Sequence, residues 1–281
     1  MGLRAVILGC GSSGGVPRVG GDWGFCDPSN KKNKRSRSSL YVEYWDGEDM
    51  PAPENRTAIV IDTSPDLREQ FLAANIKRLD AVVFTHEHAD QSHGIDDLRA
   101  VAYRMRTQIP TYMDQNTKNH VYTRFEYCFE MPEGRVHPPI LDLQPLMKSG
   151  DRVEIDGPGG TLKLDVFEVS HGPTRSLGFI FDDQLGYAPD VWDVPDEAIE
   201  ALAGVDTFIV DSLRYNAHPT HANTDKSLSW LARVRARQGV LTNLHIDMDY
   251  ETLGNELPPM AVPAYDGMEI ILPPMADQKA V

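Results

Sequence analysis

The sequence predicts a mixed α/β domain, on three observations. Short β-branched and aromatic runs alternate with stretches of helical periodicity along most of the chain. The 281 residues are 41% hydrophobic, so residues 1–281 are expected to bury a sizeable core as a single domain. Residues able to hold a metal ion stand directly after several of the strand-like runs, as in folds that build a site from strand ends.

The elements follow in order. Residues 3–8 read as a first strand, an apolar run too short for a secretory signal. Strands at 39–45 and 57–62 flank a Pro-rich, acidic stretch at 46–56 that reads as a hairpin loop. A helix at 65–74 leads to a strand at 80–85, and helices follow at 95–105 and 115–129. Strands at 161–169 and 177–181 precede a helix at 196–203 and a strand at 207–211. The helix at 224–237 places Leu228, Leu231 and Val234 on one face, with Asn223 as its expected N-cap. A strand at 240–245, a helix at 250–256 and a strand at 268–272 complete the reading.

Composition narrows the function. The net charge of −15 argues against tight nucleic-acid binding, which depends on neutralising phosphates with Lys and Arg. No stretch approaches the ~18 apolar residues needed to span a bilayer, so no membrane role is expected. Three cysteines, Cys10, Cys26 and Cys128, are too few and scattered for a disulfide framework, which fits a cytoplasmic enzyme. One basic run, Lys31-Lys32-Asn33-Lys34-Arg35-Ser36-Arg37, reads as a solvated loop or as a patch drawing anions toward a site.

The chemistry concentrates at Thr85-His86-Glu87-His88-Ala89-Asp90, after the run Ala81-Val82-Val83-Phe84. In extended chain, residues two apart point the same way, so His86 and His88 can converge on one ion. His171, Asp190 and His245 each follow a further strand-like stretch. The segment from Gly9 to Gly15 allows two readings, a sharp turn leaving the first strand or a floor whose Ser12, Ser13 and Gly14 contact a phosphate. His93, His120 and His137 carry no such pattern.

With these residues the chain resembles the metallo-β-lactamase superfamily of metal-dependent hydrolases, and within it the PhnP-like phosphodiesterases. The narrower resemblance rests on Gly9-Cys10-Gly11-Ser12-Ser13-Gly14-Gly15-Val16-Pro17-Arg18, Ile61-Asp62-Thr63-Ser64-Pro65-Asp66-Leu67-Arg68, His93-Gly94-Ile95-Asp96-Asp97-Leu98-Arg99 and His218-Pro219-Thr220-His221. It implies an αββα sandwich of two mixed sheets with helices outside. It also implies two divalent ions, zinc or manganese: His86, His88 and His171 on the first, Asp90 and His245 on the second, and Asp190 bridging. Such a pair, about 3.5–4 Å apart, activates water and polarises a phosphate. Asp90 would orient the nucleophile and His221 would protonate the leaving oxygen, with His218 and Thr220 beside the substrate. The helix starting near Thr224 is expected to present its positive end to the phosphate.

The expected substrate is a small cyclic phosphate or a nucleotide phosphodiester, and the sequence is compatible with a homodimer. The other readings are a tRNA 3′-processing nuclease, a PqqB-like protein, and a catalytically weakened nucleotide-binding sensor. Two departures matter. The usual His-x-His-x-Asp-His ends here in Gln91, so the second ion is expected to be held less tightly. The Cys-x-Cys-x-x-Cys cluster that holds a structural zinc in many relatives is reduced to Cys26, so no structural zinc is expected, and Trp23 and Phe25 are expected to fill that space.

Overall fold

Leu3, Ala5 and Ile7 join one apolar cluster while Val6 and Leu8 join another, because successive side chains of a strand alternate between faces. That alternation generates the layers. In the computed structural model, which describes residues 1–131, 133–134 and 136–273, the chain runs through β1 (Gly2–Gly9), β2 (Ser39–Trp45), β3 (Thr57–Ile61), β4 (Ala81–Val83), β5 (Ile109–Tyr112) and β6 (Leu141–Leu143). It continues through β7 (Arg152–Gly157), β8 (Gly160–His171), β9 (Thr174–Phe181), β10 (Leu185–Ala188), β11 (Thr207–Asp211), β12 (Gln238–Thr242), β13 (Ala261–Pro263) and β14 (Met268–Leu272). One seven-stranded sheet has the order β14-β1-β2-β3-β4-β5-β6, the other β13-β12-β11-β10-β9-β8-β7. Each is antiparallel over one half and parallel over the other, the change coming at β3 in one sheet and at β10 in the other.

Three apolar clusters lie between and outside the sheets. Leu40, Val42, Ile59 and Val83 meet Leu164, Val166, Phe179 and Tyr187 between them. On the outer face of the first sheet, Val60 and Val82 pack against α1 (Leu67–Ala73), α3 (Leu98–Met105) and α4 (Gln115–Phe129). On the outer face of the second, Phe208, Val210 and Leu241 pack against α5 (Asp196–Ala201), α6 (Thr224–Val234) and α7 (Tyr250–Glu256). The result is the αββα sandwich of two mixed sheets. No helix among the described residues is long and apolar enough to cross a membrane.

Several boundaries differ from the sequence reading. The helix expected from residue 65 begins at Leu67, with Asp66 at its N-cap position and the Asp66 carboxylate accepting from the Arg37 amide at 2.9 Å. The helix expected from residue 95 opens as a 3-10 turn, Ile95–Asp97, before α3. α6 stops at Val234 because Arg235 adopts a left-handed conformation, φ 58°. The strand expected to reach His245 ends at Thr242, where Asn243 turns the chain at φ 61°. Five short strands, β5, β6, β7, β10 and β13, were not expected.

Candidate metal centre and cavity

The strand β4 delivers His86 and His88, and a short helix, α2 (Ala89–Ser92), carries Asp90 and Gln91 immediately after. What fixes the tip of this strand is Asp62, itself at φ 62° beyond β3. Its carboxylate accepts from the Thr85 amide and hydroxyl, both at 2.8 Å. His171 arrives on the end of β8, from the opposite sheet. Gly172 follows it at φ 69°, where a Cβ would stand 2.4 Å from Thr220; the missing side chain lets the Thr220 carbonyl lie 2.8 Å from His171 Nδ1.

His86, His88 and His171 converge. His86 Nε2 lies 3.0 Å from His88 Nδ1, and His171 Nε2 lies 3.4 Å from the same atom. A carbonyl only accepts, so His171 carries its proton on Nδ1 and leaves Nε2 bare. The Thr85 hydroxyl donates to Asp62, which assigns the His86 proton to Nδ1, 2.9 Å from Thr85 Oγ1, and leaves its Nε2 bare as well. At least two lone pairs thus face His88 Nδ1, a convergence of imidazole nitrogens that a shared cation suits. Burial holds His86 well below the ordinary imidazole range and pulls His171 down to about 3. Neutral imidazoles are what a metal ion requires, so these residues fit the divalent ion that the fold family implies.

A second group forms around Asp190, on the turn after β10. Its carboxylate approaches ring nitrogens of His171 and His221 closely enough for all three to share an ion. Gln91, fully buried, donates from Nε2 to Asp190 Oδ2 at 3.0 Å, and its Oε1 is buried with no partner among the described residues. Reversing the amide would set its oxygen against the carboxylate, so this orientation is the favourable one.

His221 does not stand free. Its Nδ1 lies 2.8 Å from Asp211 Oδ2 and 3.9 Å from Asp190 Oδ1, with Asn243 Nδ2 at 3.1 Å. Burial pulls this imidazole down, but Asp211 and then Asp190 outweigh that and raise it to about 9. A proton is therefore retained at neutral pH.

These groups share one cavity of about 470 Å³, lined in part by Ser12, Ser13, His88, Asp90, His171, Asp190, His218, Thr220, His221 and His245. The other expected site residues stand around this cavity as follows. Gly14 is absent from that lining, and a Cβ there would stand 3.2 Å from the Arg18 side chain. The amino end of α6 does not line the cavity either, since the Asn223 side chain turns inward to cap the Lys226 amide at 3.2 Å. His245 lines the cavity, yet its Nε2 meets the Arg18 guanidinium while Asp247 lies 2.8 Å from Nδ1. Near the glycine loop, Cys26 is buried beside Val16, Ile246 and Trp23, with the Arg35 guanidinium 3.7 Å from its sulfur. Phe25 is 82% exposed and fills no space there.

Sequence reasoning passed over Asp62, Asp211 and Asn243 as site residues, and over Arg18 and Arg214 in the cavity wall. The first three are single polar residues at the ends of apolar strands, the signal that had singled out Asp190.

Residues 57–246 match the model of the Beta-lactamase superfamily domain. A solved structure described as a new diphosphatase from the PhnP family is 30% identical, with TM-score 0.82, over 97% of this chain and 98% of that one. The chain belongs to the metallo-β-lactamase superfamily and to its PhnP-like group. Its fold is that of the superfamily's metal-dependent hydrolase domains. Zinc-bound PqqB from Methylobacterium extorquens, 18% identical, shares the fold at TM-score 0.70 over 95% of this chain and 99% of its own. An octanoyltransferase of Porphyromonas gingivalis is 32% identical over 99% of this PhnP-like chain. The chain spans only about half, 53%, of that curated relative.

Proposed function

We propose that residues 1–281 act as one domain that hydrolyses a small cyclic phosphate or nucleotide phosphodiester. The observation that carries this reading is His221, held by Asp211 at 2.8 Å, facing the same cavity as His88 and His171 of the three-imidazole cluster. A 30% identical relative described as a diphosphatase supports attack on phosphorus. His86, His88 and His171 would hold a first divalent ion, Asp90 and His245 a second, and Asp190 both. When bound, such ions supply positive charge and acidify water. The nitrogen-rich first position suits zinc, and the oxygen-richer second leaves manganese suitable.

The chain's own groups do the rest. Asp90 orients the attacking water, which gives up one proton to solvent; as its oxygen bonds to phosphorus, the bond to the leaving oxygen breaks. His221 gives that oxygen its Nε2 proton, and Asp211 stabilises the imidazolium until then. Ser12, Ser13, His218 and Thr220 border the substrate. Purified protein supplied with zinc or manganese should hydrolyse bis-p-nitrophenyl phosphate and a cyclic ribose phosphate, leaving precursor tRNA intact. Cleavage of the tRNA alone would replace this reading with an RNA-processing one.

Gln91 and Arg18 bear on the second ion. The Gln91 amide donates to the carboxylate meant to bridge, and Arg18 occupies the His245 nitrogen. The second ion should leave first in a chelator titration followed by mass spectrometry. Both Gln91→His and Arg18→Ala should raise its occupancy. Simultaneous release of both ions from all three proteins would remove these residues from the second position.

A further inference from the structure

The basic run at residues 31–37 reads from the sequence as a solvated loop or an anion-drawing patch, and the chemistry above uses neither. Lys31, Lys32 and Lys34 are exposed, yet Arg35 in their midst is 1% exposed, the largest of the fully buried side chains. Arginines elsewhere hold carboxylates, as Arg4 and Arg56 both do Glu43 and Arg237 does Asp206. Arg35 forms no such ion pair among the described residues, and its Nε is buried without a hydrogen-bond partner among them. Burial raises the neighbouring Cys26 thiol above its ordinary value, so the sulfur supplies no anion. An apolar side chain would fill this space without the cost of desolvating a cation. Core packing alone therefore does not account for an arginine here.

Its partners show what the charge holds. Nη2 donates to the Met248 carbonyl at 2.6 Å and to Asn33 Oδ1 at 3.3 Å; Nη1 donates to the His245 carbonyl at 3.3 Å. Asn33, also fully buried, extends the grip, with Oδ1 accepting from the Tyr250 amide at 2.8 Å and Nδ2 donating to the Asp249 carboxylate at 2.6 Å. All these ties fall on one short turn, residues 245–250, between β12 and α7. On its amide side His245 is held by the Leu213 carbonyl at 3.0 Å. On its carbonyl side the strand has already ended, and the anchors are the Met248 amide at 3.0 Å and the Arg35 guanidinium. The other end of Arg35 is tied beyond the glycine loop, where its main chain and that of Val16 exchange two hydrogen bonds of 2.8 Å. The guanidinium thus joins the turn that carries His245 to the segment that carries Ser12 and Ser13, and those three residues line one cavity.

We propose that Arg35 is a positioning residue: from outside the cavity its guanidinium fixes where the His245 ring stands, and through that ring it sets the affinity of the second ion. The assignment of His245 to that ion rests on the hydrolase reading; the placing of its ring does not. A donor bonded to carbonyls at both ends of the turn fixes the His245 backbone, and groups behind a metal ligand govern its aim. The guanidinium keeps its charge at any physiological pH, so the anchor does not titrate away.

Two measurements test this. The first follows ring resonances of isotope-labelled histidine in the metal-free protein, with His245 assigned by its loss in His245→Gln. Arg35→Met, which keeps most of the volume and drops the donors, should shift the His245 signals and leave those of His86 in place. Arg35→Lys, which keeps a cation able to reach one carbonyl, should shift them less, and it remains readable if Arg35→Met does not fold. The second titrates metal by calorimetry with mass spectrometry. Arg35→Met should weaken the second ion ~10–100-fold, the range for groups that orient a ligand from behind, and leave the first ion unchanged, with Arg35→Lys between. His245 signals that stay in place in the variants that fold overturn the proposal, as does equal weakening of both ions, the mark of a general loosening. Signals that move while second-ion affinity holds would leave the ring placement standing and instead overturn the assignment of His245 to the second ion.

Discussion

His221→Ala should lower the rate by ~10²–10⁴, the range for a positioned acid–base group, while the metal content stays unchanged. The loss should be smallest for p-nitrophenolate, which departs without needing a proton, and largest for an alkyl or ribose leaving group. The acid works only while protonated, so with poor leaving groups activity should hold below about pH 9 and fall as pH rises through that value. Asp211 is the main group raising this imidazole, from a contact of 2.8 Å. Asp211→Asn should therefore move the alkaline limb to lower pH, an effect that a purely structural role for Asp211 would not produce. Equal losses for good and poor leaving groups in His221→Ala would remove the residue from proton donation. Loss of metal in that variant would make it a ligand.

Removal of metal should abolish turnover entirely. Excess chelator should silence the protein, and zinc or manganese should restore it. His171→Ala should stay inactive after the same treatment, because it takes away the one imidazole that the second sheet adds to the three-histidine cluster. The variant should remain folded by circular dichroism, as its ring lies at a cavity rather than in an apolar core. Undiminished hydrolysis in chelator, with the protein shown by mass spectrometry to hold no metal, would exclude the mechanism.

What could be read from the sequence followed strong local patterns. His86 and His88 were legible because a β-branched run aims alternate residues the same way, and α6 announced its start through Asn223. The five short strands left little trace. β5 and β13 each contain a proline, β10 a glycine, and β7 is a charged edge strand, so all are held by their neighbours' ladders more than by their own composition. Arg235 is a residue of good helical propensity that nonetheless ends α6 in a left-handed turn. The site was legible where residue chemistry is distinctive, as with imidazoles. It was illegible where meaning depends on partners: Asp211 matters because His221 folds onto it, and Arg35 because the His245 and Met248 carbonyls close on it.

The three imidazoles come from different layers, His86 and His88 from beyond β4 of one sheet and His171 from the end of β8 in the other. An ion that bound all three would act as a rivet through the sandwich. Thermodynamic linkage then couples its affinity to the cohesion of the two halves: free ion at 100 times its dissociation constant adds about 2.7 kcal/mol to unfolding. The chain's resistance to heat would consequently track the metal supply around it, and scarcity of metal would cost a cell the folded protein as well as its activity.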